Sequence, residues 1–295
     1  MLADAARPEW LQWILDPLRG DPALASAMLA ACAPLAVVFT VALFLWIRRH
    51  GPSGGALSFE GFIIGLPLAA AVMILPQFIV PLGGENIGHA LASRSLEYGL
   101  TQVALTLAAI MILYRNPIER AETPRPQWLA VQPRTLSRTM IAWVVAIFAL
   151  QTAIIASIAI ARLWGGQAEV QPVLGFLIEQ RNARSIIGAY VLVVAGAALS
   201  EEFIFRLVLY GGLRRLFTSV VGENGAHWIA LGLSVAAFVA VHGLLAPALW
   251  YLIAPMTILS VALTLTYAHT RSIWPSVLMH AVHNAFTLTL ALTLT

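Results

Sequence analysis

Ala198-Leu199-Ser200-Glu201-Glu202-Phe203-Ile204-Phe205-Arg206 sets two carboxylates and a guanidinium inside a run otherwise apolar enough to cross a bilayer. An ionised side chain at that depth costs at least about 2.5 kcal/mol, so it needs a partner or a purpose. On a helix, Glu202 and Arg206 are four apart and share a face, which predicts an ion pair. Glu201 sits about 100° away, beside Ala197, Ala198, Ile204 and Phe205, with no local partner. One acid is explained by pairing and the other is left for chemistry. The bland alternative is that both acids are neutral or serve only helix packing.

The rest of the composition agrees with a membrane protein. Of 295 residues, 60% are hydrophobic and 11% charged, and the mean hydropathy is +0.83, outside the range of a soluble globule. The net charge of +3 is small, and every cation is arginine. Those arginines cluster in particular loops, which suits a cytoplasmic membrane face and argues against a nucleic-acid partner. The single cysteine, Cys32, lies in an apolar run and can form no intramolecular disulfide. The mixed start, Met1–Pro22, reads as no cleavable signal.

Apolar windows of about 20 residues predict an all-α, polytopic membrane protein with about eight transmembrane helices enclosing an intramembrane polar cavity. The spans fall near 23–47, 57–82, 96–114, 139–163, 185–217, 227–245, 249–268 and 273–294. Pro67, Pro76 and Pro81 predict a kinked second span. Segment 165–184 is too short in its apolar core to span, and reads as interfacial or re-entrant. The chain divides into an N-terminal four-helix membrane region, 1–164, and a C-terminal membrane core, 165–295. Arginines at 48–49, 115–138, 214–215 and 271 put those loops in the cytoplasm and both termini outside.

Further polar groups occur on the later spans. His242 closes Phe238-Val239-Ala240-Val241-His242, and His280, His283 and Asn284 share a face of the last span. Any one histidine alone is better read as an interhelical hydrogen bond. Glu201, His242, His280 and Asn284 on three spans read better as one site. His50, His89, His227 and His269 lie in or beside loops and read as bland. A carboxylate stripped of water becomes a stronger base, suited to taking a proton from water while imidazoles or an amide stabilise an oxyanion. Two histidines, a glutamate and a water also satisfy a zinc ion's needs. No His-Glu-x-x-His motif is present, so a divalent metal is permitted and not demanded. Ser200 lacks the Gly-x-Ser-x-Gly setting of a nucleophile.

Glu201-Glu202-x-x-x-Arg206, Phe238-x-x-x-His242 and His280-x-x-x-Asn284 together resemble the three signature motifs of the CPBP intramembrane proteases. That family includes the type II CAAX prenyl endopeptidases and bacterial proteins often labelled Abi. The resemblance covers roughly 185–294 and makes the C-terminal core the catalytic part. It implies that Glu201 activates water, with His242, His280 and Asn284 around it, and that Glu202 and Arg206 form the family's accompanying pair. It leaves open whether a metal, held by His242 and His280, takes part. The expected function is an intramembrane endopeptidase acting on a membrane-associated protein or peptide within the lipid bilayer. The absence of lysine points to a bacterial inner (cytoplasmic) membrane, where prenylated substrates are not expected. The alternatives are a non-catalytic membrane immunity or partner protein of the same fold, and a proton or metal transporter. The transporter predicts two related halves, and no such symmetry is present in the sequence. Oligomeric state and substrate identity are not encoded in any motif.

Overall fold

The computed structural model describes residues 57–79, 93–116, 143, 146, 147, 150–157, 159, 160, 182–245 and 251–294, and among these it contains helices and no strand. Helix α1 is Phe59–Ile79 and α2 is Ser95–Arg115. A long helical run then begins at Ala183, where Asn182 Oδ1 accepts from Ser185 N at 2.9 Å as an N-cap. It comprises α3 (Ala183–Ala189), a π-wound segment (Tyr190–Ala197), α4 (Ala198–Glu201), a second π-wound segment (Glu202–Tyr210) and α5 (Gly211–Leu245). Helices α6 (Ile253–Thr270) and α7 (Ile273–Leu294) complete the described chain. Among the described residues, three stretches, Phe59–Pro76, Ser95–Arg115 and Ile253–Thr270, are long and apolar enough to cross a membrane.

The expected connection between the fifth and sixth spans is shorter than its sequence suggests. Helix α5 runs on to Gly222, breaks there at φ 71° and ψ 173°, and resumes. Only glycine adopts that backbone without strain, so one residue does the work of a loop. Between α6 and α7 the chain turns just as tightly. Arg271 takes the left-handed conformation (φ 57°), and its N–H closes on Tyr267 O at 2.8 Å. The first span, the 115–138 loop beyond Asn116, most of 165–184, Pro81 and the 246–248 turn lie outside the described residues, as does much of the fourth span.

Packing places the acidic segment between two apolar clusters. Phe203 and Leu207 face one cluster with Phe62, Val72, Ile110 and Tyr267. Phe205 faces the other with Phe238, Leu263 and Met279. Large apolar side chains such as Ile63, Leu66, Leu100, Ile112 and Phe286 are left on the outside, as expected of a surface whose solvent is lipid.

Helix α2 approaches the acidic run through glycines. A Cβ added at Gly99 would lie 2.7 Å from Leu192 N and 2.8 Å from Leu192 Cα, and one at Gly188 would lie 2.8 Å from Leu96 N. These obstacles are backbone and cannot step aside, which is the close helix–helix contact that small residues permit. Gly99→Ala is therefore expected to cost about 1–3 kcal/mol as overpacking. Gly232, with nothing within 4 Å of its would-be Cβ, is the control. Thermal unfolding in detergent should show a lowered midpoint for Gly99→Ala and none for Gly232→Ala; equal midpoints for both would contradict the contact.

Candidate active site

The two adjacent glutamates lie where α4 passes into π winding. Gly211 N–H reaches back five residues to Arg206 O, the signature of the wide turn. Such winding is common at functional sites. A wide turn advances fewer degrees per residue than an α turn, so Glu201 and Glu202 diverge less than α-helical geometry predicts. Both carboxylates consequently reach the same histidine.

Glu202 and Arg206 are completely buried, with Arg206 Nε 3.3 Å from Glu202 Oε2. The guanidinium also donates from Nη2 to Ser260 Oγ at 3.2 Å and to Ser260 O at 3.4 Å. Its Cζ lies 4.7 Å from the centroid of the Phe238 ring, within cation–π range. Each of these contacts offsets part of the cost of burying a charge. The pairing expected from sequence is thus present, and the ring and the serine are additions to it.

His280 joins the two acids. Its Nδ1 lies 2.9 Å from Glu202 Oε1, while its Nε2 lies 3.8 Å from Glu201 Oε2. His242 approaches the same Glu201 oxygen through Nε2 at 3.7 Å, and its own Nδ1 donates to Phe238 O at 2.8 Å. The His242 ring lies over Phe238, centroids 4.3 Å apart. Phe238 therefore serves both halves of the site: its face meets Arg206 and its carbonyl orients His242.

A carbonyl can only accept, and a carboxylate paired with arginine also accepts. Both Nδ1 atoms are therefore donors, and both Nε2 atoms are what the site presents to Glu201. Neutral imidazoles offer lone pairs there; doubly protonated ones offer N–H groups. Glu201 Oε2 itself is buried and has no hydrogen-bond partner among the described residues. Unlike Glu202, whose side chain is completely buried, the Glu201 side chain is about one-fifth exposed, although its Oε2 is buried.

Asn284 is less directly involved. Its Nδ2 donates to Val193 O at 2.8 Å, tying α7 to the first π-wound segment. His283 is buried, and its Nδ1 has no partner among the described residues. Glu201, Glu202, Arg206, His242 and His280 therefore form one connected group, with Asn284 bracing its frame.

Counted from the cytoplasmic ends of the expected spans, His280 lies about 10 Å in and Glu201 and His242 about 20 Å in, which is a difficulty for a shared site. The helical run answers it. It extends about four residues beyond both expected ends, to Gly222 from each side, and the side chains meet.

Sequence reasoning misses Ser260, Gln102 and the bond from His280 to Glu202. Gln102 had a detectable signal, since it is a lone amide in the middle of the apolar run of α2. Ser260 and the His280–Glu202 bond had none, because serine is ordinary in membrane helices and the bond joins residues 78 apart in sequence.

The fold and site define a helical membrane protein with a buried acid–imidazole–guanidinium group and one partly exposed carboxylate. Residues 183–286, roughly a third of the chain, match the model of a family described as Type II CAAX prenyl endopeptidase Rce1-like. The match bears out the resemblance carried by the three motifs, and that family is one of CAAX-type intramembrane proteases. No curated protein and no solved structure matches the chain.

Proposed function

We propose that the protein is an intramembrane endopeptidase that hydrolyses a peptide bond of a membrane-associated protein or peptide, with Glu201 as the general base. The observation that carries this reading is the convergence of two imidazole Nε2 atoms, at 3.7 and 3.8 Å, on one unpartnered carboxylate oxygen. A water held at Glu201 Oε2 loses a proton to that oxygen as its own oxygen attacks the substrate carbonyl carbon. The C–O bond forms, and the carbonyl oxygen takes up the negative charge. When the C–N bond breaks, the proton passes from Glu201 to the departing nitrogen, which restores the carboxylate. The imidazoles of His242 and His280, whose Nε2 atoms lie beside Glu201 Oε2, are the groups at hand to stabilise that oxyanion. Glu202 and Arg206 hold His280 and the helix in register and touch no substrate.

Metal assistance is a separate question. The facing lone pairs have the donor chemistry of a zinc site, and His280 has the carboxylate outer partner common to zinc-bound histidine. Yet among the described residues no three His, Cys, Asp or Glu side chains are spaced to hold one ion. The steps above are written with the chain's own residues and water. If a divalent ion is bound, His242 and His280 are its ligands. Elemental analysis of purified wild type against a His242→Ala/His280→Ala double variant decides it, and equal metal content in both is expected. Metal in the wild type that disappears from the double variant would contradict the water-only mechanism.

The function itself is tested by proteomics of membranes from cells lacking the protein, with wild type or Glu201→Gln restored. Substrate fragments should appear with wild type and be missing with the variant. Identical membrane proteomes in both would favour the non-catalytic membrane partner.

A further inference from the structure

Helix α2 lies outside the family-matched region 183–286, yet it touches the turn that carries Glu201. Gln102 Nε2 donates to Ser200 Oγ at 2.8 Å, across 98 residues of chain. Ser200 is fully buried and passes the bond on, donating to Ala197 O at 3.2 Å. The residue after Ser200 is Glu201. Gln102 is itself closely packed, although its Oε1 has no hydrogen-bond partner among the described residues. Its Oε1 is buried beside Gly196, where an added Cβ would come within 3.0 Å, and its backbone carbonyl accepts from the buried Thr106 hydroxyl at 2.7 Å. Gly99, one turn earlier, lets α2 come close enough for this bond to form.

From this chain of contacts we infer that Gln102 is a positioning residue for Glu201: its amide, through Ser200, sets the rotation of the turn that aims the Glu201 carboxylate at His242 and His280. The N-terminal part of the chain then supplies a member of the working site and is more than a membrane anchor. Glu201 otherwise lacks a restraint of this kind. Among the described residues its carboxylate makes two long contacts to imidazole, and its turn adjoins π-wound backbone on both sides. Ser200 cannot orient the turn from its own helix alone, because its bond to Ala197 is local to that turn. The bond from α2 refers it to an external element. The inference rests on Glu201 being the base, so its test has one arm that needs no proteolysis.

The experiment compares wild type, Gln102→Met (near-isosteric and without the amide), Ser200→Ala and the double variant as full-length purified proteins. In the first arm, a hydrophobic carbodiimide labels membrane carboxyls, and mass spectrometry reads the rates at Glu201 and Glu202. Labelling of Glu201 should change by about fivefold in each single variant, the size of one lost hydrogen bond, and Glu202 should stay protected. In the second arm, substrate turnover per folded molecule should fall by a similar factor in kcat with KM unchanged. The double variant should match the singles in both arms, because the two residues act through one bond. Unchanged Glu201 labelling in the single variants, or losses that multiply in the double variant, would overturn the inference. A changed labelling rate in a protein that never cleaves would leave Gln102's role standing and remove the protease reading instead.

Discussion

Glu202→Gln is expected to destabilise the protein by about 3–5 kcal/mol, because it leaves the fully buried Arg206 guanidinium without its anion. Phe238 and Ser260 still contact that guanidinium, but neither carries a charge to balance it. The same substitution replaces the carboxylate that fixes His280 Nδ1 with an amide, whose oxygen can still accept that bond. Loss of activity should therefore track loss of folded protein. Thermal unfolding in detergent checks this. Adding Arg206→Met to Glu202→Gln should recover much of the loss, since removing the whole pair costs less than orphaning one member. A Glu202→Gln protein as stable as wild type would mean that Arg206 finds its counter-charge elsewhere.

Glu201→Gln should do the reverse. The substituted oxygen has no hydrogen-bond partner among the described residues, and its imidazole contacts are 3.7 and 3.8 Å long, so little stability is at stake. Burying an unpartnered carboxylate is itself unfavourable, and the amide should melt at the same temperature or higher. Turnover should fall about a hundredfold to ten-thousandfold, the usual contribution of a positioned general base. The variant should be inserted, folded and inactive. Stability and activity would then be divided between adjacent residues, with the functional one the less well satisfied.

How far the sequence discloses this arrangement depends on the distance over which each interaction acts. Apolar runs near 96–114 and 273–294 correspond closely to Ser95–Arg115 and Ile273–Leu294, because helix length follows from a local pattern. The Glu202–Arg206 pair was legible for the same reason, being one turn of a single helix. The π winding at 190–197 and 202–210 was not, since the choice between hydrogen bonds four and five residues back is decided by packing from other helices. Without it, helical geometry separates Glu201 from Glu202, and His280 has no reason to touch both. Asn284 shows the converse limit. Its position on the face of His280 was legible, but the carbonyl of Val193 that takes its amide belongs to a distant segment. Gly222 was readable only as part of a polar connection, whereas its positive φ makes it a one-residue break.

The most direct measurement of the central claim is cleavage by purified protein in liposomes. Wild type, Glu201→Gln and Glu202→Gln, matched for folded fraction, would be incubated with membrane peptides, and new peptide termini read by mass spectrometry. The account predicts new termini with wild type, none above background with Glu201→Gln, and termini in proportion to folded protein with Glu202→Gln. Full cleavage by Glu201→Gln, alongside a well-folded and inactive Glu202→Gln, would assign the base to the other carboxylate and contradict the mechanism.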